Sequence, residues 1–158
     1  MSIEKSSDSI KQALEKLRQI CSRQEKSPAD VIVLLKRWGI DQLHHLTIIE
    51  QLKSEKYIDE YRYTSAFVKD KIKFDHWGII KIRYFLHLKG IAKDILENAI
   101  KEVDRNEYRH MIGKELDKKR KSLKGTPREI WAKLARYGSS RGYELEIMQD
   151  FLDEGAGD

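Results

Sequence analysis

One cysteine, two prolines and no long apolar run mark this sequence by what it lacks. Cys21 alone cannot close an internal disulfide, so the chain is not a disulfide scaffold and fits a reducing compartment. It falls in the series Ile10, Leu14, Leu17, Cys21, the place of a small core residue rather than a reactive thiol. With nine glycines beside two prolines, and 36% charged against 40% apolar residues, the balance favours helices with wet faces over a buried parallel sheet. No apolar stretch approaches the roughly 20 residues that cross a bilayer. Met1-Ser2-Ile3-Glu4-Lys5 also lacks the apolar segment of a signal peptide. The expectation is a soluble, cytoplasmic protein with no membrane partner.

Equally absent are the constellations that carry catalysis. There is no Walker-type phosphate loop, GxSxG, HExxH or CxxC. His44 and His45 are adjacent, so on a helix they project about 100° apart and do not share a metal. His76, His87 and His110 have no partner at ligand spacing and read as ordinary core or surface residues. Most acidic residues sit beside Lys or Arg, as on solvated helix faces. The sequence predicts a non-enzymatic binding protein without cofactor or metal, expected to be a monomer.

What the chain does have is a surplus of cations and an internal period. Lys and Arg number 31 against 26 Asp and Glu, a net charge of +5, which points to an anionic partner such as nucleic acid, an acidic protein groove or a membrane surface. The period appears when Ser27 to Ile40, Gly78 to Ile91 and Thr126 to Ser139 are aligned. Val31, Ile82 and Ile130 then share a column, as do Leu35, Leu86 and Leu134, and Gly39, Gly90 and Gly138. Ser27-Pro28-Ala29-Asp30 and Thr126-Pro127-Arg128-Glu129 are helix starts, with Ser or Thr capping and Pro in the first turn. Gly39 and Gly90 suit the left-handed position just past a helix, letting Ile40 and Ile91 fold back. In the third copy Ser139 follows Gly138, and a weaker closing contact is expected.

A second helix follows each of these, with Ile48, Ile49 and Leu52 matched to Ala99, Ile100 and Val103 and to Ile147, Met148 and Phe151. A further helix precedes each, over Ile10 to Cys21, about Glu60 to Phe74 and about Arg105 to Leu123. Asp59 and Asp104 are positioned to cap the latter two. The predicted fold is all-α: three tandem three-helix repeats over residues 9–57, 58–103 and 104–154, flanked by flexible ends at 1–8 and 155–158. Small cores of this kind stack on their neighbours, so an elongated, curved array is expected, on the order of 60 Å across.

Two basic faces are the candidate site. Lys114, Lys118, Lys119, Arg120, Lys121, Lys124 and Arg128 face only Glu115 and Asp117 in their stretch, and Lys114, Lys118 and Lys121 lie opposite the stripe Tyr108, Ile112, Leu116. Arg62, Lys69 and Lys73 share the face away from Tyr63, Phe67 and Phe74. Either face binds an anion through salt-sensitive contacts or simply keeps the helix soluble. Trp38, Trp77 and Trp131 suit base stacking or partner anchoring, but Trp38 and Trp77 read as packing between units, whereas Trp131, whose column holds Ile32 and Arg83, reads as partly exposed.

The run Ile58-Asp59-Glu60-Tyr61-Arg62-Tyr63-Thr64-Ser65-Ala66-Phe67-Val68-Lys69-Asp70, followed by Trp77-Gly78, Ile82 to Leu86 and Lys89-Gly90-Ile91, resembles the core signature of the RecX family. The resemblance extends more loosely from about Ile10 to Glu154. It implies a regulator, mainly an inhibitor, of the RecA recombinase in DNA repair, recombination and the SOS response. Such a protein lies in the groove of the RecA filament on single-stranded DNA and restrains ATP hydrolysis and strand exchange. Together with the basic faces it implies that Arg62, Lys69, Lys73, Lys81 and Arg83 meet acidic groups or phosphates, with Lys114 to Arg128 extending the contact and direct DNA contact possible. Ile79 stands where the family commonly has proline after Trp-Gly, which bears on how the next helix starts. A stand-alone DNA-binding module indifferent to sequence is the alternative.

Overall fold

The computed structural model describes the backbone of residues 2–156 and the side chains of residues 7–153. Its elements are α1 (Ser2–Arg23), α2 (Pro28–Arg37), α3 (His45–Ser54), α4 (Glu60–Lys73), α5 (Ile79–Leu88), α6 (Lys93–Lys101), α7 (Arg105–Lys121), α8 (Pro127–Arg141) and α9 (Leu145–Ala156). Among the described residues there is no strand, and the helices fall into three successive triplets, as the sequence period predicts. Within the segment 1–8, α1 begins at Ser2. The polar residues ahead of Ile10 carry no apolar period, yet they extend a helix already anchored by Ala13, Leu14 and Leu17, because propagation costs far less than nucleation. At the other end α9 runs through Ala156, and residues 157–158 lie outside the described residues.

Helix starts follow local side-chain chemistry. Ser27 Oγ accepts from the Asp30 N–H while the Asp30 carboxylate accepts from the Ser27 N–H, a complete capping box. Thr126 accepts from Glu129 N–H, Asp59 from Arg62 N–H, and Asp104 from Asn106 and Glu107 N–H. Each bond occupies a donor that the first turn of a helix leaves without an internal partner.

The helix ends repeat in the first two triplets and are displaced in the third. Gly39 and Gly90 take φ of 73° and 74°, and Ile40 and Ile91 N–H fold back to Leu35 and Leu86 carbonyls at 2.9 and 3.1 Å. In the third triplet the alignment of Gly138 with these two glycines is corrected. Gly142 holds the left-handed position at φ 87°, and Tyr143 N–H closes on Gly138 O at 2.9 Å. Gly138 is buried inside α8, and a Cβ there would lie 2.0 Å from Met148 Sδ. The stop thus falls 52 residues after Gly90, whereas Thr126 starts its helix 48 residues after Gly78, so α8 contains one extra turn. Register in the next helix moves with it: the buried Met148 and Leu152 match Leu96 and Ile100.

The chain packs as two compact units, residues 1–66 and 67–158, with the division falling inside α4. The first holds one apolar cluster from Ala13, Leu17, Val31, Leu35, Leu52 and Ile58, against which Trp38 and Tyr57 pack. His45 is buried at its edge with Nε2 2.8 Å from Ile40 O. The second unit contains the rest of α4, α5, α6 and the third triplet, and its largest fully buried side chains are Tyr108 and Tyr143.

A shared backbone junction ties α5 to the third triplet within this unit. Gly78 N–H donates to Arg141 O at 2.7 Å and Ile80 N–H to Gly142 O at 3.1 Å. Ile79 N–H donates to Tyr108 Oη at 2.8 Å, and the same hydroxyl donates to the Glu144 carboxylate. The first turn of α5, which has no side-chain cap of its own, is therefore capped by α7 and by the end of α8. Proline at 79 could not make the Tyr108 bond.

Candidate partner-binding surface

Charge is divided unequally between the units. Residues 67–158 carry 20 Lys and Arg against 16 Asp and Glu, whereas residues 1–66 carry 11 against 10, so the second unit holds +4 of the net +5. Its longest basic stretch lies on α7 and the start of α8. Tyr108, Ile112 and Leu116 are buried, and at about 100° per residue Lys114, Lys118 and Lys121 come round to the opposite side, where all three are exposed. Lys124 and Arg128, in the connection and first turn of α8, are exposed too.

Of the two acids of this stretch only one pairs with a lysine of the exposed face. Asp117 holds Lys121 at 3.3 Å, but Glu115 turns inward, 3.8 Å from His76 Nε2 and 4.0 Å from Arg141. Lys119 and Arg120 also leave the face. They lie on the sides of the helix nearer its buried stripe and are half-buried: Lys119 Nζ stands 5.2 Å from the Tyr137 ring centre, and Arg120 donates to Phe151 O at 3.0 Å. Five cations of the predicted seven thus form the exposed set.

The α4–α5 residues are mostly engaged within their own units. Arg62 Nε pairs with Glu25 at 2.5 Å while Nη2 donates to the Lys56 and Tyr57 carbonyls. The Glu25 bond raises its pKa, and the guanidinium fixes the turn in which Lys56 takes φ of 64°. Arg83 forks onto Glu97 at 2.9 and 3.1 Å, and this bond holds the Glu97 carboxyl below its ordinary range. Lys69 and Lys73 are exposed. Lys81 Nζ sits 4.3 Å from the Trp77 ring centre and Lys71 Nζ 4.6 Å from it. Trp131 is half-buried.

Two features of this region escape the sequence period. Phe74, aligned with the inward face of α4, is 67% exposed; the helix ends at Lys73, so its period no longer directs the next side chain. The buried side of α4 is instead Tyr63, Thr64 and Val68. Trp77 gathers Phe67 edge-on at 6.3 Å and Phe85 at 4.9 Å, so this tryptophan packs inside the second unit. Its neighbours come from the two helices on either side of it, α4 and α5.

The exposed cations of α7 and the start of α8 form a row of point charges open to solvent. Among the described residues no cluster of His, Cys, Asp or Glu is placed to hold a metal, and no helix is long and apolar enough to cross a membrane. Buried Tyr143 donates to His76 O, and burial pushes its phenol up to about 12, which keeps it a hydrogen-bond donor rather than a base. An open cleft between α7 and α9 is lined in part by Arg109, Lys114 and Phe151, but Arg109 is held by Asp150 and stacks on the Phe151 ring.

Comparison with known proteins agrees with this architecture. The family model described as "RecX, second three-helix domain" matches residues 59–100. The regulatory protein RecX of Clostridium botulinum strain Eklund 17B is 31% identical over 150 residues, covering 93% of this chain and 70% of that protein. A solved structure titled "Crystal structure of regulatory protein RecX" superposes with a TM-score of 0.85 at 19% identity, over 96% of this chain and 77% of that one. RecX from Lactobacillus salivarius superposes with a TM-score of 0.78 at 19% identity, over 96% and 99%. On the triplet architecture, the matched middle unit and these relatives together, the chain belongs to the RecX family of regulatory proteins.

Proposed function

We propose that this protein regulates a RecA recombinase, chiefly by inhibition, by binding the recombinase filament on single-stranded DNA and restraining its ATP hydrolysis and strand exchange. Membership of the RecX family supports the partner, and the exposed cations Lys114, Lys118, Lys121, Lys124 and Arg128 support the mode of contact. These five supply point charges to phosphates or acidic side chains without reading sequence. Lys69 and Lys73 add to the contact, whereas Arg62, Arg83 and Arg120 act by holding the fold. The three triplets serve as repeats that together cover more of the filament than one would. The work is done in the cytoplasm, as part of DNA repair.

The single observation that carries this reading is the α7 face on which three lysines stand clear of the core while the neighbouring Glu115 turns away. A triple reversal, Lys114→Glu, Lys118→Glu and Lys124→Glu, changes only exposed side chains and leaves helicity intact. Fluorescence anisotropy against recombinase-coated and naked single-stranded DNA then gives the test. The wild type prefers the coated form, and the variant binds it about tenfold or more weakly at moderate salt. Unchanged affinity would remove the face from the contact. Equal binding to naked DNA would favour the sequence-indifferent DNA-binding module.

A further inference from the structure

The middle unit presents an apolar stripe to solvent that neither outer repeat shares. Ile80, Tyr84 and Leu88 stand four residues apart on α5 and are 51%, 59% and 61% exposed. The aligned residues are Ala29, Val33 and Arg37 in the first repeat and Arg128, Ala132 and Arg136 in the third. Only the middle copy is large and apolar at all three positions: the first repeat has one exposed apolar residue there, Val33, between Ala29 and Arg37, and the third has two arginines. Single exposed apolar residues need no explanation, but three in register on one helix make a surface.

The stripe is also held rigidly. On the underside of α5, Ile79, Ile82 and Leu86 are fully buried, and its first turn is fixed by Tyr108, Arg141 O and Gly142 O. Tyr84 meets Phe85 edge-on at 5.6 Å, which limits its rotation. An apolar patch on a fixed helix binds with little ordering cost, and tyrosine is favoured at the centre of protein contacts. Charge selects the kind of occupant. Among the described residues α5 is the one α-helix without Asp or Glu; Arg83 on one flank of the stripe is shared with Glu97, so Lys81 on the other flank, over the Trp77 ring, supplies the charge an acidic residue would meet.

We infer that the Ile80, Tyr84, Leu88 stripe is a protein-docking site for a short amphipathic helix whose apolar face is flanked by acidic residues. It would be separate from the α7 cations, so one unit would hold a phosphate-facing surface and a protein-facing one. In the cell that helix would belong to the recombinase, a step that rests on the function proposed above.

Two measurements on the full chain keep the two ideas apart. The variant Ile80→Ser, Tyr84→Ser, Leu88→Ser is compared with the wild type for binding to recombinase-coated and to naked single-stranded DNA. The expected result is a loss of about thirtyfold or more on coated DNA, wild-type binding to naked DNA, and an unchanged circular dichroism spectrum. In the second, a synthetic helix with Leu at every fourth position and Glu beside each is titrated while the Tyr84 and Leu88 resonances are followed. They shift with this peptide and not with its Lys-flanked counterpart. If the wild type ignores coated DNA but the Glu peptide binds the stripe, the docking site stands and the recombinase assignment falls. If neither probe distinguishes the variant, or if the stripe instead mediates self-association in sedimentation, the docking proposal is overturned.

Discussion

Gly78 has no room for a methyl group. A Cβ there would lie 2.1 Å from Gly142 O and 2.5 Å from Tyr143 N, both backbone atoms of a fixed helix end. Gly78→Ala therefore forces α5 away from its caps and should cost about 2–3 kcal/mol, read as a fall in midpoint in chemical denaturation. Tyr108→Phe tests the same junction chemically. It removes the acceptor of Ile79 N–H and the donor to Glu144, leaving a buried N–H unpaired, at about 1–3 kcal/mol. Little of this was legible in the sequence. Tyr108 reads correctly as a core residue from its helical spacing, but the path of its hydroxyl depends on residues 29 and 36 positions away. Arg62 shows the same limit: its outward placement on α4 is predictable, but its pairing with Glu25, 37 residues earlier, is not.

At the scale of elements, caps were readable and register was not. Ser27, Asp59, Asp104 and Thr126 act where their residue types and spacing place them, because capping is decided within four residues. The extra turn of α8 was hidden for a physical reason: a shift of four residues returns to nearly the same helix face, so Ile147 and Met148 fit the apolar columns about as well as Phe151 and Leu152 do. The displaced stop gives a prediction. Gly90→Ala meets nothing within 4 Å and costs only the left-handed backbone term, about 1–2 kcal/mol, whereas Gly142→Ala adds a contact of 2.4 Å with Lys81 N. Thermal unfolding should rank Gly142→Ala clearly below Gly90→Ala.

The α5–α6 ion pair adds a pH signature. Hydrogen bonding from Arg83, opposed by slight burial, lowers the Glu97 pKa from its ordinary 4.5. A carboxyl lowered in the folded state contributes stability that is fully present above its unfolded pKa and is lost as pH falls through the folded value. Stability should therefore drop as pH is lowered beneath 4.5, and Glu97→Gln should flatten part of that drop. Solvent screening keeps the contribution below about 1 kcal/mol.

For the whole molecule, composition foretold the helical class and the excess of cations, while the structure located that charge. The second unit holds most of the excess, and only part of the basic run faces outward. Packing also joins α5 and α6 of the second repeat to the third repeat in one unit through Gly78, Tyr108 and Gly142, a junction built largely from backbone atoms and so nearly silent in side-chain patterns. Binding through exposed lysines should weaken steeply with salt, and the Lys114→Glu, Lys118→Glu, Lys124→Glu variant should show a shallower salt slope than the wild type. The most direct test is the rate of ATP hydrolysis by a RecA recombinase on single-stranded DNA as this protein is titrated in. The rate should fall with increasing wild-type protein, and the triple variant should need about tenfold more for the same effect. A rate that stays constant at every concentration would contradict the account.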